Sequence, residues 1–500
     1  MQILSADQIR AWDEFTIQHE PIASINLMER AAATCFQWIV QHHEGRNFSI
    51  FCAKGNNGGD GLAIARMLSA NHSVTVYVLE FGHLGTEDFQ VNLARLHQTQ
   101  AVIKFIPTED NIPIIPSDDI IIDALFGTGL NRPIEGLTAA VVCGINNSGN
   151  EVIAIDIPSG LSADSSSKGN ITVIASHTLS FQCYKPAFLV AENELNIGKL
   201  HILNIGLHDD YLDRIQCTSI LVDETMAHEI IKPRKIFSHK GNFGHTLLIA
   251  GSHGKMGAAV LASRACLRSG VGLLTVHCPN NGNYILQTAV PEAMIDTDSN
   301  EKINTTVTTE LNKYDTVGIG PGLGTAYDTA ALLRNVILKC TRPLVVDADA
   351  LNILGAHPEW MATLPSFSVL TPHPKEFERL FGVTQDDFER IQLAKSKAKE
   401  YNVIIVLKGH HTFIATPGGK DFFNSTGNAG MATGGSGDVL TGIISSFVAQ
   451  KYSSEEAAVL GVFLHGLAGD LAAKKMSEPA LIASDIIDHL GDAFKKLLNR

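Results

Sequence analysis

From Asn428 to Gly442 the chain reads N-A-G-M-A-T-G-G-S-G-D-V-L-T-G, and no other stretch constrains the fold as much. Four of the five glycines in this stretch and several small residues lead to one carboxylate, Asp438. Val439, Leu440, Ile443, Ile444 and Phe447 then follow at helical spacing. Small residues let backbone N–H groups approach a ligand closely, and a helix starting there adds a partial positive charge of roughly half a unit. That combination is an anion cradle. A carboxylate at its rim can take a proton from a hydroxyl beside the anion, as phosphoryl transfer requires. A glycine-rich turn with an aspartate capping the next helix has the same local pattern, so the neighbouring segments must decide.

They favour a site. Ser238–Ser252 reads as a loop, a buried strand and a turn, and Gly257–Gly272 as a close-packing helix with small residues on one face. Asp315–Gly324 (D-T-V-G-I-G-P-G-L-G) is a strand ending on glycines. Leu344–Asn352 ends a strand on two aspartates, Ser368–Phe377 ends one on His373 between two prolines, and Val403–Thr412 ends one on Lys408. Successive strands thus bring glycines, a histidine, a lysine and an aspartate to one edge of a mostly parallel sheet, a nucleotide site by accumulation. There is no G-x-x-x-x-G-K-[ST], which excludes a P-loop enzyme, and His228-Glu229 lacks a second histidine at position 232, which excludes H-E-x-x-H zinc chemistry.

The first half uses the same grammar. Ser5 and Gln8 form a capping-box pattern before a short amphipathic helix, and a second helix runs from about Ser24; both read as structural. A buried strand, Phe48–Ala53, meets K-G-N-N-G-G-D-G (Lys54–Gly61) and then a helix. Two more apolar runs close on Asp123 and Asp156, each followed by glycines. In open parallel sheets ligands bind beyond the carboxyl ends of the strands, so Asn57, Asp123, Asp156 and Ser159 converge on one crevice. The pattern loosens between about 210 and 230, where the boundary is placed, giving domains at 1–215 and 225–500.

Composition narrows the class. Five hundred residues, 45% hydrophobic, suit two or three domains. A net charge of −14 argues against nucleic-acid or anionic-membrane surfaces. Eight cysteines without a C-x-x-C pair read as reduced core residues. The first residues carry acids and no apolar signal core, and no apolar run approaches the ~20 residues of a membrane span. A cytoplasmic chain is expected, with small-residue helices near the start making a homo-oligomer the expected assembly.

Asn56-Asn57-Gly58-Gly59-Asp60, Gly127-Thr128-Gly129-Leu130 and Asp156-Ile157-Pro158-Ser159-Gly160 resemble the signature of the NAD(P)H-hydrate epimerase family. The resemblance implies an α/β fold with an N-terminal Rossmann-like three-layer domain. It implies hydrated nicotinamide nucleotide along Asn56, Asn57, Gly58, Gly59 and Asp60 and along Gly127, Thr128, Gly129, Leu130, Asn131, Arg132 and Pro133, with Asp156 at the reacting ring. It also implies a K⁺ ion on Asn57, Asp123 and Ser159, hard oxygen donors that suit an alkali cation.

The second half resembles the ribokinase-like superfamily. His239-Lys240-Gly241, Gly320-Pro321-Gly322-Leu323-Gly324, Thr371 to Phe377 and Gly434 to Asp438 are similar to the ADP-dependent NAD(P)H-hydrate dehydratase family. That resemblance implies a ribokinase-like α/β domain with hydrated nucleotide at Ala258, Gly322, His373 and Asp438. ADP would lie on Lys408, Gly409, His410, His411, Thr412 and Gly437, with Mg²⁺ as its partner. Where sugar kinases often show N-x-x-E for Mg²⁺, this chain has His373-x-x-Glu376. The implied chemistry begins with Asp438 deprotonating the ring hydroxyl of the S hydrate, which attacks the terminal phosphoryl of ADP. Phosphate then leaves and the dihydronicotinamide is restored, while the first half interconverts R and S forms. The competing classes are a kinase that releases a stable phosphorylated product, and a first half that only senses nucleotides.

Overall fold

The computed structural model describes residues 1–498. The chain divides into two compact units, one of Met1–Cys217 with Asp386–Phe388 and the other of the remaining described residues from Thr218 onward.

The first unit is built on seven strands: β1 (Asn47–Cys52), β2 (Val74–Leu79), β3 (Val102–Ile106), β4 (Asp119–Ala124), β5 (Val152–Ile155), β6 (His177–Phe181) and β7 (Lys199–Leu203). They pair in parallel in the order β3-β2-β1-β4-β5-β6-β7. Between β1 and β4 the order reverses direction, which is where such sheets open a ligand crevice. Phe48, Ile50 and Cys52 face a core shared with helices Ser24–His42 and Asn56–Leu68. Phe51, Tyr77 and Ile121 face the other side, against Val141, Val142 and Ile145 of helix Gly136–Asn147. Burial on both faces explains why the central strands read as unbroken apolar runs.

The glycines after β1 behave differently from a loose phosphate loop. The helix begins at Asn56, so the motif is its first two turns. A Cβ on Gly58 would fall 1.7 Å from the Ala53 carbonyl oxygen, and one on Gly61 would fall 2.5 Å from Ala124 Cβ. These glycines let the helix start directly on the strand ends.

The second unit carries ten strands: β8 (Ser219–Val222), β9 (His245–Ile249), β10 (Leu273–Cys278), β11 (Met294–Thr297), β12 (Thr316–Ile319), β13 (Leu344–Val346), β14 (Val369–Leu370), β15 (Ile404–Leu407), β16 (Phe413–Ala415) and β17 (Asp421–Asn424). Their order is β11-β10-β9-β12-β13-β14-β15-β16-β17-β8. The run from β11 to β15 is parallel, and β16 reverses direction. The stretch expected to join the domains therefore contains β8, whose Ile220 and Leu221 register with Phe422 and Phe423 of β17.

Helices Met256–Arg268 and Ser436–Ala449 cross tightly, since a Cβ on Gly442 would fall 2.1 Å from the Ala262 carbonyl oxygen. Helix Ser454–Met476 overturns the expectation that no run is long and apolar enough to span a bilayer. Among the described residues it alone passes by length and composition, yet 72% of its most apolar window is buried in the core of this unit.

Candidate active sites

A cavity of about 1100 Å³ opens at the carboxyl ends of the first sheet. Asn56, Asn57, Asp60, Gly127, Thr128, Gly129, Leu130, Asn131, Arg132, Pro133 and Asp156 all line it. Gly58 and Gly59 do not: Gly58 packs on Ala53, and a Cβ on Gly59 would meet Met28 Sδ at 2.8 Å.

Asp156 follows β5 with φ +69°, a left-handed conformation that costs a non-glycine residue about 1–3 kcal/mol and survives only where its surroundings impose it. Here they do. Its Oδ2 accepts from the Thr128 N–H at 2.9 Å, and its Oδ1 lies 3.0 Å from Lys185 Nζ. Lys185 is wholly buried, donates to Ser180 Oγ, and rests over the Phe188 ring. Gly127 must be glycine for this wall to close, because a Cβ there would come within 2.6 Å of Asp156 Oδ2.

Asp123 and Ser159 lie beneath the cavity floor. Asp123 accepts from the Ser159 N–H at 2.8 Å, from Ser159 Oγ at 2.7 Å and from the Leu125 N–H at 3.2 Å. Burial still pushes its carboxyl up to about 6, against the lowering effect of those bonds. Ser159 Oγ also reaches the Phe126 carbonyl at 3.2 Å. Both side-chain polar atoms of buried Asn57 find no hydrogen-bond partner among the described residues. Buried amides are normally satisfied, and an orphaned amide oxygen, like the Ser159 hydroxyl and the Asp123 carboxylate, is the kind of donor that fits a hard monovalent cation.

In the second unit, helix Ser436–Ala449 starts from Gly435 in the left-handed region (φ +93°) and carries Asp438 in its first turn. Lys408 Nζ lies 2.8 Å from Asp347 Oδ1 and 3.8 Å from Glu376 Oε2. A Cβ on Gly437 would sit 3.3 Å from the same Nζ, so the helix start and the lysine are immediate neighbours. Thr441 Oγ1 donates to Asp347 Oδ2 at 2.7 Å. Burial, then the charge of Asp347, push the Asp438 carboxyl up to about 7, with Lys408 opposing.

His373 caps helix Pro374–Phe381: its Nδ1 accepts from the Lys375 and Glu376 N–H groups, and its own N–H donates to Glu376 Oε2. Burial and Lys408 hold the ring below the usual histidine range. Ala258 and Gly322 meet, since a Cβ on Gly322 would lie 3.0 Å from Ala258 Cβ.

The turn from Lys408 to Thr412 is partly closed on itself. Thr412 Oγ1 donates to the Gly409 carbonyl at 2.9 Å, and His411 Nδ1 pairs with the Asn424 carbonyl at 3.0 Å. Those two bonds brace the turn, while Gly409 and His410 are exposed.

Comparison with known proteins extends this geometry. A family model described as YjeF-related protein N-terminus matches residues 24–187, and one described as NAD(P)H-hydrate dehydratase matches residues 246–491. The Moorella thermoacetica protein named bifunctional NAD(P)H-hydrate repair enzyme Nnr is 34% identical, over 99% of this chain and 97% of its own length. The chain belongs to the bifunctional NAD(P)H-hydrate repair enzyme family. The Escherichia coli protein of that name is also 34% identical, across 97% of this chain and 92% of its own. A ribokinase-like superfamily protein from Enterococcus faecalis has a solved structure that superposes with TM-score 0.50 at 30% identity, covering 57% of this chain and 98% of that one. As a member of the repair-enzyme family, the chain pairs NAD(P)H-hydrate epimerase and dehydratase activities.

Sequence reasoning missed several residues of these sites. Asp13 lines the first cavity from a helix read as structural, and Lys185 belongs to no motif singled out. Asp347 was visible as a strand-end carboxylate, but its partners Lys408 and Thr441 lie 61 and 94 positions away.

Proposed function

We propose that the first unit carries the epimerase at Asp156 and the second the dehydratase at Asp438, with ADP as phosphoryl donor. The observation that carries this reading is the placement of Asp438. A half-buried carboxyl with an acidity near neutral stands in the first turn of a glycine-led helix, beside a paired lysine. Near neutral pH it is poised to take a proton, and the helix start and Lys408 favour the negative charge of a phosphoryl group alongside.

The ring hydroxyl of the S hydrate loses its proton to Asp438 and attacks the terminal phosphoryl of ADP, whose O–P bond breaks to release AMP. The phosphate ester then leaves the ring carbon as inorganic phosphate, with loss of a ring proton, and the dihydronicotinamide is restored. Ala258 and Gly322 leave room for the hydrate, and His373 borders it as a rigid neutral ring.

Among the described residues no group of three or more His, Cys, Asp or Glu forms a metal cage. Mg²⁺ would therefore ride on the nucleotide phosphates, helped by one or two carboxylates such as Asp347 and Glu376, and would supply charge neutralisation there. In the first unit Asn57, Asp123 and Ser159 would hold K⁺, which fixes the cavity floor and adds positive charge beneath the nucleotide.

The test is incubation of the purified chain with mixed hydrate epimers, Mg²⁺ and ADP, following absorbance of the reduced ring. Recovery of both epimers with ADP, and of neither without it, supports the reading. Accumulation of a stable phosphorylated hydrate would replace it with a kinase.

A further inference from the structure

Asp13 belongs to no motif, yet the fold brings it to the cavity that Asp156 closes. It sits on helix Ala6–His19, whose start is fixed by the Ser5–Gln8 capping box. Trp12 Nε1 donates to the His208 carbonyl at 2.9 Å, and Tyr211 Oη donates to the Gln8 carbonyl at 3.0 Å. These bonds tie the helix to the 208–211 segment and hold Asp13 at the cavity wall.

Three carboxyl groups, Asp13, Asp60 and Asp156, line that cavity together with Arg10, Lys54 and Arg132, and the buried Lys185 stands behind Asp156. Lys185 and the Thr128 N–H occupy the two oxygens of Asp156. Carboxylates crowded together in a partly desolvated pocket cannot all be ionised cheaply. Asp60 is only 9% exposed, whereas Asp13 is half-buried and faces the open volume.

We propose that Asp13 is the general acid of epimerisation, acting with Asp156 as general base. This deepens the reading of the first unit as an epimerase and rests on it. The Asp13 O–H proton passes to the hydroxyl on the hydrated ring carbon. The C–O bond breaks, its electron pair leaves with water, and the ring nitrogen lone pair forms C=N⁺. A water on the other face adds to that carbon, the electron pair returns to nitrogen, and Asp156 takes the proton. Exchange through solvent returns that proton to Asp13, so the cycle is redox-neutral.

The electrostatics agree. Burial, then Asp156, push the Asp13 carboxyl up to about 7; Glu14 on its own helix adds to this and Lys185 opposes it. Asp60 faces the same space from helix Asn56–Leu68, and Arg10 lines it one turn before Asp13. Two carboxyls held in different protonation states are how an acid and a base are divided between like residues.

The experiment measures R-to-S interconversion by chromatography across about pH 5.5 to about pH 9, with hydrate binding by calorimetry, for the full chain and for Asp13→Asn and Asp13→Glu. The wild-type rate should fall as pH rises through about 7. Asp13→Asn should lose about 10²–10⁴-fold in rate and lose that limb while still binding hydrate, and Asp13→Glu should recover part of the rate. An Asp13→Asn chain that interconverts epimers at the wild-type rate overturns the proposal. If that variant fails to bind hydrate because it is misfolded, the wild-type profile decides, and a rate flat through neutral pH overturns it. A wild-type chain with no interconversion at any pH removes the epimerase reading itself, a separate outcome.

Discussion

Lys408 Nζ lies 2.8 Å from Asp347 Oδ1, so the cation beside Asp438 is paired by the protein itself. Asp347 thereby acts on two neighbours: it anchors the lysine, and its charge is the largest influence after burial in raising Asp438.

The pH dependence of dehydration follows from that pairing. Asp438 must be ionised to act as a base, so the rate should rise as pH increases through about 7. Asp347→Asn removes the neighbouring negative charge and should move that midpoint to lower pH. The measurement is kcat for ring recovery against pH in both chains. An unmoved midpoint would separate Asp347 from Asp438.

Gly442 sets how closely the helix bearing Asp438 approaches helix Met256–Arg268. An added Cβ would fall 2.1 Å from the Ala262 carbonyl oxygen, which backbone must move to accommodate. Gly442→Ala should lower stability by about 1–3 kcal/mol in urea melts and reduce dehydration, with epimerisation kept. Unchanged melts would mean that the crossing relaxes freely.

The orphaned amide of Asn57 predicts a selective response to K⁺. At constant ionic strength, K⁺ should raise the melting temperature of the chain relative to Li⁺, because an ion bound only by the folded state stabilises it. Asn57→Ala should melt in Li⁺ no lower than the wild type, since it removes unsatisfied polar atoms, and should lose the K⁺ increment. A wild-type chain indifferent to the choice of cation would leave Asn57 without its proposed role.

Much of this was legible where one short segment carries both the strand end and the chemistry. Asn56 to Asp60, Gly127 to Pro133, Asp156 and Gly434 to Asp438 announce themselves because glycines or a carboxylate stand next to an apolar run, before it in the last case and after it in the others. Gly58 and Gly59 show the limit of that signal: a glycine needed for helix-on-strand packing reads like one needed for a ligand.

Asp13 and Lys185 were hidden because their meaning is topological. The first is 143 positions from Asp156, and the second follows β6 without a glycine signal. The left-handed backbone at Asp156 was equally invisible, since the bonds with Thr128, Lys185 and the Leu179 carbonyl that accompany it come from distant positions. Edge strand β8 escaped because four residues paired to a distant hairpin look like a linker.

The central claim is that two separate carboxylate sites divide the two reactions. Asp438→Asn tests it most directly, with R-to-S interconversion by chromatography and ADP-dependent ring recovery by absorbance measured on the same preparation. Dehydration should fall about 10²–10⁴-fold with epimerisation unchanged. Dehydration at the wild-type rate, or loss of both reactions in a chain that still melts normally, would contradict it.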